Sequence, residues 1–204
     1  MLYTRILDIG EVKLVVSRLK QRDSYGDALH LVIFRLSACC GLRCKEIRGI
    51  QIRDVRTSGA RPHIQIRKEV TKGEKGKRKV RQVPLWWDAD TLADLTAWKQ
   101  FRLVQAEGDV NAPFVCCQKY GHVNRPISRS VLSRHWERTL TEFLGPERAK
   151  CLSIHAGRHS FASLCHRAGI SLANIRDALG HSSLAITDQY LHATDDGVRD
   201  VFGG

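Results

Sequence analysis

Apolar positions along the chain change period several times, and each change marks an element. Residues 11–21, EVKLVVSRLKQ, mix apolar and basic side chains at helical spacing and read as a short basic helix. SYGDALHLVIFRLSACCGLR follows, with Ser24 placed as an N-cap, an apolar run through Leu29, Val32, Ile33 and Leu36, and Gly41 as the stop. CKEIRGI adds one or two helical turns. PHIQIRKEV and KVRQVPL alternate with a period of two and predict antiparallel strands, with the glycine-bearing, charged TKGEKGK as a hairpin tip. DADTLADLTAWKQFRLVQAEG predicts an amphipathic helix capped by Asp88 or Asp90 and ending near Gly108. A loop or short strand around Phe114–Val115 leads into a helix over SRSVLSRHWERTLTEFLG, and three short helices at about 156–168, 171–179 and 183–191 close the chain. The pattern is that of a mainly α fold with a small antiparallel β-sheet (α+β).

Composition narrows the possible partners. The 204 residues suit one ordinary domain, and 43% hydrophobic content supplies a core. Lys and Arg number 33 against 21 Asp and Glu, a formal charge of +12, which favours a polyanion: nucleic acid first, an anionic membrane surface second. No run of about 20 apolar residues is available for a membrane span. The opening MLYTRILDIGEVKLVVSRLK is too charged for a secretory signal, so the expected location is the cytoplasm or nucleoid. Seven cysteines, two pairs of them adjacent, make a poor disulfide framework and lack zinc-finger spacing. They read as reduced, buried small hydrophobes, with a zinc site around Cys165 and His166 the weaker reading.

Cations crowd between residues 61 and 81, where nine Lys or Arg, Arg81 among them, face only Glu69 and Glu74. Such a hairpin repels itself unless an anion lies alongside, and a phosphate backbone would release counterions on contact. In SIHAGRHS, His155 and Arg158 are spaced i, i+3 and share a helical face, a pairing suited to one cluster of anionic oxygens. In LGHSSLAITDQY, Gly180 ends a helix in a left-handed conformation, His181 stands at the corner, and Ser182 or Ser183 can cap the next helix. Tyr190 lies nine residues after His181. With a free pKa of about 10 it becomes a useful nucleophile only where cations stabilise the phenolate.

GLRCKEIRGIQIRDV, TKGEKGKRKVRQVPL, HAGRHSFAS and LGHSSLAITDQY, in that order, resemble the catalytic domain of tyrosine recombinases, the phage-integrase family, over about Ser24 to His192. The resemblance implies a tyrosine-recombinase catalytic fold over 24–192, an N-terminal segment or linker remnant at 1–23 and a tail at 193–204. It implies that Arg43 and Arg158 clamp the non-bridging oxygens of a DNA phosphate, that His155 and His181 hydrogen-bond it, and that Tyr190 attacks phosphorus to give a 3′-phosphotyrosyl bond. Glu46 matches an acidic position that supports the arginine. Lys72 fits best as the general acid, with Lys75 and Lys77 as alternatives on the same hairpin. Arg67, Lys68, Lys75, Lys77, Arg78 and Lys79 are expected along the DNA backbone. No metal and no cofactor is implied: two arginines and two histidines stand where other nucleases use metal ions, and the clustered carboxylates of a two-metal site are missing from the sequence.

The implied partners are double-stranded DNA and further copies of the chain, a tetramer on DNA and a monomer when free, with Val198, Val201 and Phe202 as a small apolar stripe for docking. The residues before Ser24 are too few for the separate helical DNA-binding domain that such enzymes carry, so a piece of a longer protein or a minimal enzyme is expected. Two other readings compete. SFASLCHRAGISLANIRDALGHSS has the look of a helix-turn-helix, which would make the chain a non-catalytic DNA-binding regulator. A type IB topoisomerase-like enzyme would share the tyrosine chemistry but relax DNA without paired sites.

Overall fold

The computed structural model describes residues 5–22, 24–71, 80–116 and 124–181. Helix α1 (Ile9–Lys20) begins at a capping box, in which Asp8 accepts from the Glu11 N–H and Glu11 bonds back to the Asp8 N–H. Its Val12, Val15 and Leu19 are buried in the main core, together with Leu7. Arg148 clamps it from outside, with Nη2 2.8 Å from Glu11 Oε2. Residues 7–20 therefore pack as part of the same body that the sequence reading began at Ser24.

Helix α2 (Tyr25–Phe34) is capped by Ser24 and does not run unbroken to Gly41. It widens into a π-helical segment, Arg35–Cys39, closed by a Leu42 N–H to Leu36 carbonyl bond of 3.0 Å. The buried Arg35 guanidinium bonds Asp94, on the long helix after the sheet, at 2.7 and 2.9 Å, which ties this segment sideways. Helix α3 (Cys44–Gly49) follows at once.

The sheet has three antiparallel strands in the order β1 (Val55–Arg56), β2 (His63–Ile66) and β3 (Arg81–Pro84). Val55 pairs with Ile64, and Ile66 pairs with Arg81. The two-residue β1 is too short to show alternation in the sequence, and β2 stops four residues earlier than its pattern suggested. The reason is local: Arg67 turns inward to the Asp54 carboxylate (2.9 and 3.0 Å) and the Gly49 carbonyl (2.9 Å), and the chain folds into a turn there.

Helix α4 (Ala89–Gln105) is capped by Asp88, as expected, and α5 (Arg129–Leu144) by Ser128. Gly145, at φ 85°, ends α5, and Pro146 starts a short α6 (Pro146–Lys150) that the periodicity did not announce. Helices α7 (Ile154–Arg167) and α8 (Leu172–Leu179) complete the described part. The last predicted helix, about 183–191, and the tail lie outside the described residues.

Two apolar clusters hold these elements. The larger joins α1, α2, α5 and the sheet, with Phe34 and Trp136 stacked at 5.5 Å between ring centres. The smaller lies under α7 and α8 and contains Phe161, Ala162, Cys165, Ile175 and Leu179. Gly157 lets α7 approach the π-helical segment: a Cβ there would meet the Ser37 side chain and come within 2.8 Å of Trp136 Cη2. Among the described residues, no helix is long and apolar enough to cross a membrane.

Candidate active site

Glu46 organises the site. It is fully buried on α3, and an isolated carboxylate would not stay ionised there without partners. Its Oε2 accepts the Arg43 backbone N–H at 2.8 Å and Arg81 Nη2 at 2.6 Å, while Oε1 accepts Arg43 Nη1 at 3.1 Å. Arg158 Nη1 stands 4.0 Å from Oε2. Three guanidiniums from β3, α7 and the start of α3 thus surround one carboxylate, leaving a net positive site.

The C-terminal end of α8 is the second anchor. The left-handed Gly180 (φ 65°, ψ 44°) ends the helix as predicted and leaves its last carbonyls open. Arg158 Nη2 donates to the Leu179 carbonyl at 2.6 Å, and Nη1 donates to the Gly41 carbonyl at 2.7 Å. Arg43 Nη1 reaches the same Leu179 carbonyl over a longer 3.5 Å, and Arg81 Nη1 donates to the Ala178 carbonyl. The negative end of the helix dipole favours these cations. Among the described residues, both side-chain bonds of Arg43 run from Nη1, and 24% of the side chain stays exposed. Its fork remains open to an anion from outside.

His181 follows directly and is buried. Burial, then Arg158, Arg43 and Arg81, hold its pKa down to about 3. The imidazole is therefore neutral at neutral pH, with one N–H to donate and one lone pair to accept. His155 lies on the exposed face of α7, one turn before the buried Arg158. His159, half-buried beside them, is pushed below the ordinary histidine range by burial, Arg158 and His155.

Four of the sequence-predicted residues, Arg43, Glu46, Arg158 and His181, come together, and His155 shares a helix with Arg158. Lys72, Lys75, Lys77, Arg78, Lys79 and Tyr190 lie outside the described residues. Of the expected DNA-facing cations within them, Lys68 is exposed, whereas Arg67 is bound to Asp54 and the Gly49 carbonyl. Arg81, counted among the hairpin cations in the sequence, is buried against Glu46. The signal was available: the β3 alternation puts Arg81 on the inward side with Val83, and a charge at an inward position needs a partner. The α7–α8 pair that looks like a helix-turn-helix delivers the end of its second helix to the three arginines.

The cysteines stand apart from this chemistry. Cys40, Cys44, Cys116 and Cys165 are buried, and burial followed by Cys39 pushes the Cys165 thiol up to about 12.

The sequence and the fold both have known counterparts. The chain is 26% identical over 196 residues to the tyrosine recombinase XerC of Pelobacter propionicus, covering 96% of this chain and 58% of that protein. It is 29% identical over 199 residues to XerC of Myxococcus xanthus, covering 97% and 58%. The chain thus spans less than two thirds of the length of these curated relatives. Among solved structures, XerH site-specific recombinase bound to a palindromic difH substrate, a post-cleavage complex, shares the fold with a TM-score of 0.71 at 24% identity, over 96% of this chain and 52% of that one. The XerA recombinase matches with a TM-score of 0.69 at 21% identity, over 97% and 64%. The model of the phage integrase family spans residues 7–196, from the buried Leu7 to beyond Tyr190, and the chain belongs to that family.

Proposed function

We propose that this chain is the catalytic part of a site-specific DNA recombinase that cleaves and rejoins double-stranded DNA through a covalent 3′-phosphotyrosyl intermediate. The observation that carries the reading is the meeting of the Arg43 and Arg158 guanidiniums at the Leu179 carbonyl, with neutral His181 beside them. A scissile phosphate placed against this corner meets the open side of the Arg43 fork, with the positive charge of Arg158 close behind it. Donors fixed at that corner stabilise the charge that grows as phosphorus becomes five-coordinate. His181 and His155 supply further hydrogen bonds and a route for the tyrosine proton.

In the step itself, the Tyr190 oxygen bonds to phosphorus in line with the departing 5′-oxygen. The P–O5′ bond breaks, and Lys72 protonates the leaving oxygen; Lys75 and Lys77 remain its alternatives on the hairpin. The phosphotyrosyl ester keeps the energy of the diester, so a 5′-hydroxyl from another strand can reverse the step. Lys68 and the cations at 75–79 lie along the DNA backbone, and the enzyme works as an assembly of copies on DNA of the cytoplasmic nucleoid. Glu46 acts by holding Arg43.

A nicked suicide substrate tests the reading, because a short released fragment diffuses away and traps the adduct. Incubation of the full chain with such DNA is expected to give a protein–DNA band that survives denaturation and is absent for Tyr190→Phe. A Tyr190→Phe protein that still yields the band, or a wild type that binds DNA without forming any, contradicts it.

A further inference from the structure

We propose that Arg81 is a positioning residue for strand cleavage, fixing both the Glu46 carboxylate that orients Arg43 and the end of α8 that carries His181. The proposal rests on the recombinase reading and adds a residue to it. Arg81 is 9% exposed and lies on the inward face of β3, so, unlike the exposed Lys68, it is not available to bulk DNA. Its two terminal nitrogens point to different elements, Nη2 to Glu46 of α3 at 2.6 Å and Nη1 to the Ala178 carbonyl of α8. One planar group thus sets the spacing between the start of α3, where Arg43 stands, and the corner at His181.

The chain makes room for this side chain. It passes so close to Gly180 that a Cβ at that position would lie 2.8 Å from Arg81 Nε. Gly180 therefore serves twice, as a left-handed helix end and as a gap for the arginine stem. Burial works against the Arg81 charge, Glu46 works for it, and Arg43 opposes it again. Buried ion pairs of this kind are poor sources of stability compared with apolar side chains of the same volume, so the arginine is better explained by the geometry it imposes. With Arg81 removed, Glu46 Oε2 loses its strongest donor and can turn toward Arg158, 4.0 Å away, dragging the Arg43 fork with it. β3 begins at Arg81, so the same side chain ties the start of that strand to the cradle.

The test uses the full chain with Arg81→Met, Arg81→Lys, Glu46→Gln and the Arg81→Met/Glu46→Gln pair. Two readouts are needed: the single-turnover cleavage rate of bound suicide substrate, and the NMR titration of His181 without DNA. Arg81→Met is expected to slow cleavage of bound DNA about 100-fold while changing DNA affinity less than about threefold. Arg81→Lys should recover part of the rate, and the double variant should be no slower than the slower single, because both act through one carboxylate. His181 should titrate higher in Arg81→Met than in the wild type. Wild-type cleavage by Arg81→Met with His181 unmoved overturns the proposal, as does an affinity loss as large as the rate loss, which marks a DNA contact. If Arg81→Met does not fold, Arg81→Lys and Glu46→Gln decide in its place: a shared slowing at unchanged affinity supports the role, and normal rates overturn it. If the wild type forms no tyrosine adduct, the recombinase reading fails by itself. The His181 titration then still judges whether Arg81 sets the cradle, and an unmoved titration rejects it.

Discussion

Burial, and after it three nearby guanidiniums, keep a proton off His181, and that fixes how its titration acts on stability. Its native pKa is about 3 against an ordinary 6.5, so below pH 6.5 the unfolded chain binds a proton that the native chain refuses. The native state loses stability as pH falls from 6.5, with the loss complete only near 3. Between pH 6.5 and 5 this single residue accounts for about 2 kcal/mol. His135, held at about 4 first by burial and then by His30, Arg138 and Arg134, adds a loss of the same sign. Comparing the wild type with His181→Asn removes that second contribution. Urea unfolding at pH 7 and pH 5 should show a drop smaller by about 2 kcal/mol in the variant; equal drops would mean that the imidazole is not held neutral.

At this scale the sequence was informative where a residue's chemistry had few uses. HxxR on a helix start pointed to anion binding, the family resemblance added the histidine after a left-handed glycine, and Arg158 and His181 stand close enough to act on each other. Arg81 was hidden because its charge sat among eight other cations in the same stretch, and the count of charges outweighed the period of the strand. Arg67 was hidden in the same way, since only the fold reveals that Asp54 lies opposite it.

Among the elements, the contact between α7 and the π-helical segment decides whether the cradle forms. Gly157 sits one residue before Arg158, and its missing side chain leaves room for Ser37 and Trp136. Gly157→Ala is expected to destabilise the chain by about 1–3 kcal/mol, since the neighbours must shift in a packed interior. It should also lower suicide-substrate cleavage, because the shift is passed to the next residue on the helix. Unchanged urea midpoint and cleavage rate would show that α7 has more room than this packing allows. Helices with long apolar periods and good caps, such as α4 with Asp88 and α2 with Ser24, were legible from sequence. The π-helical turn, β1 and α6 were not. The first depends on a side-chain anchor 59 positions away at Asp94, and the other two are too short to display a period.

For the whole molecule, the central feature is convergence. The turn after the π-helical segment, α3, β3, α7 and the end of α8 bring Arg43, Glu46, Arg81, Arg158 and His181 to one corner, although 138 positions separate Arg43 from His181. Order along the chain suggested every member of this set except Arg81, but the carbonyl of Leu179 as the meeting point of Arg43 and Arg158 could not be read from any motif. A fold that assembles positive charge from so many segments is suited to one phosphate held in a fixed orientation.

Neutralisation of the scissile phosphate by those guanidiniums is tested most directly with a phosphate that carries no charge. Suicide DNA carrying a methylphosphonate at the cleavage position should be cleaved by Arg43→Ala at a rate within about tenfold of the wild type. On ordinary DNA the same variant should be slower by a factor of about 1,000. An Arg43→Ala defect of equal size on both substrates would contradict the account, because the arginine would then be doing something other than meeting the phosphate charge.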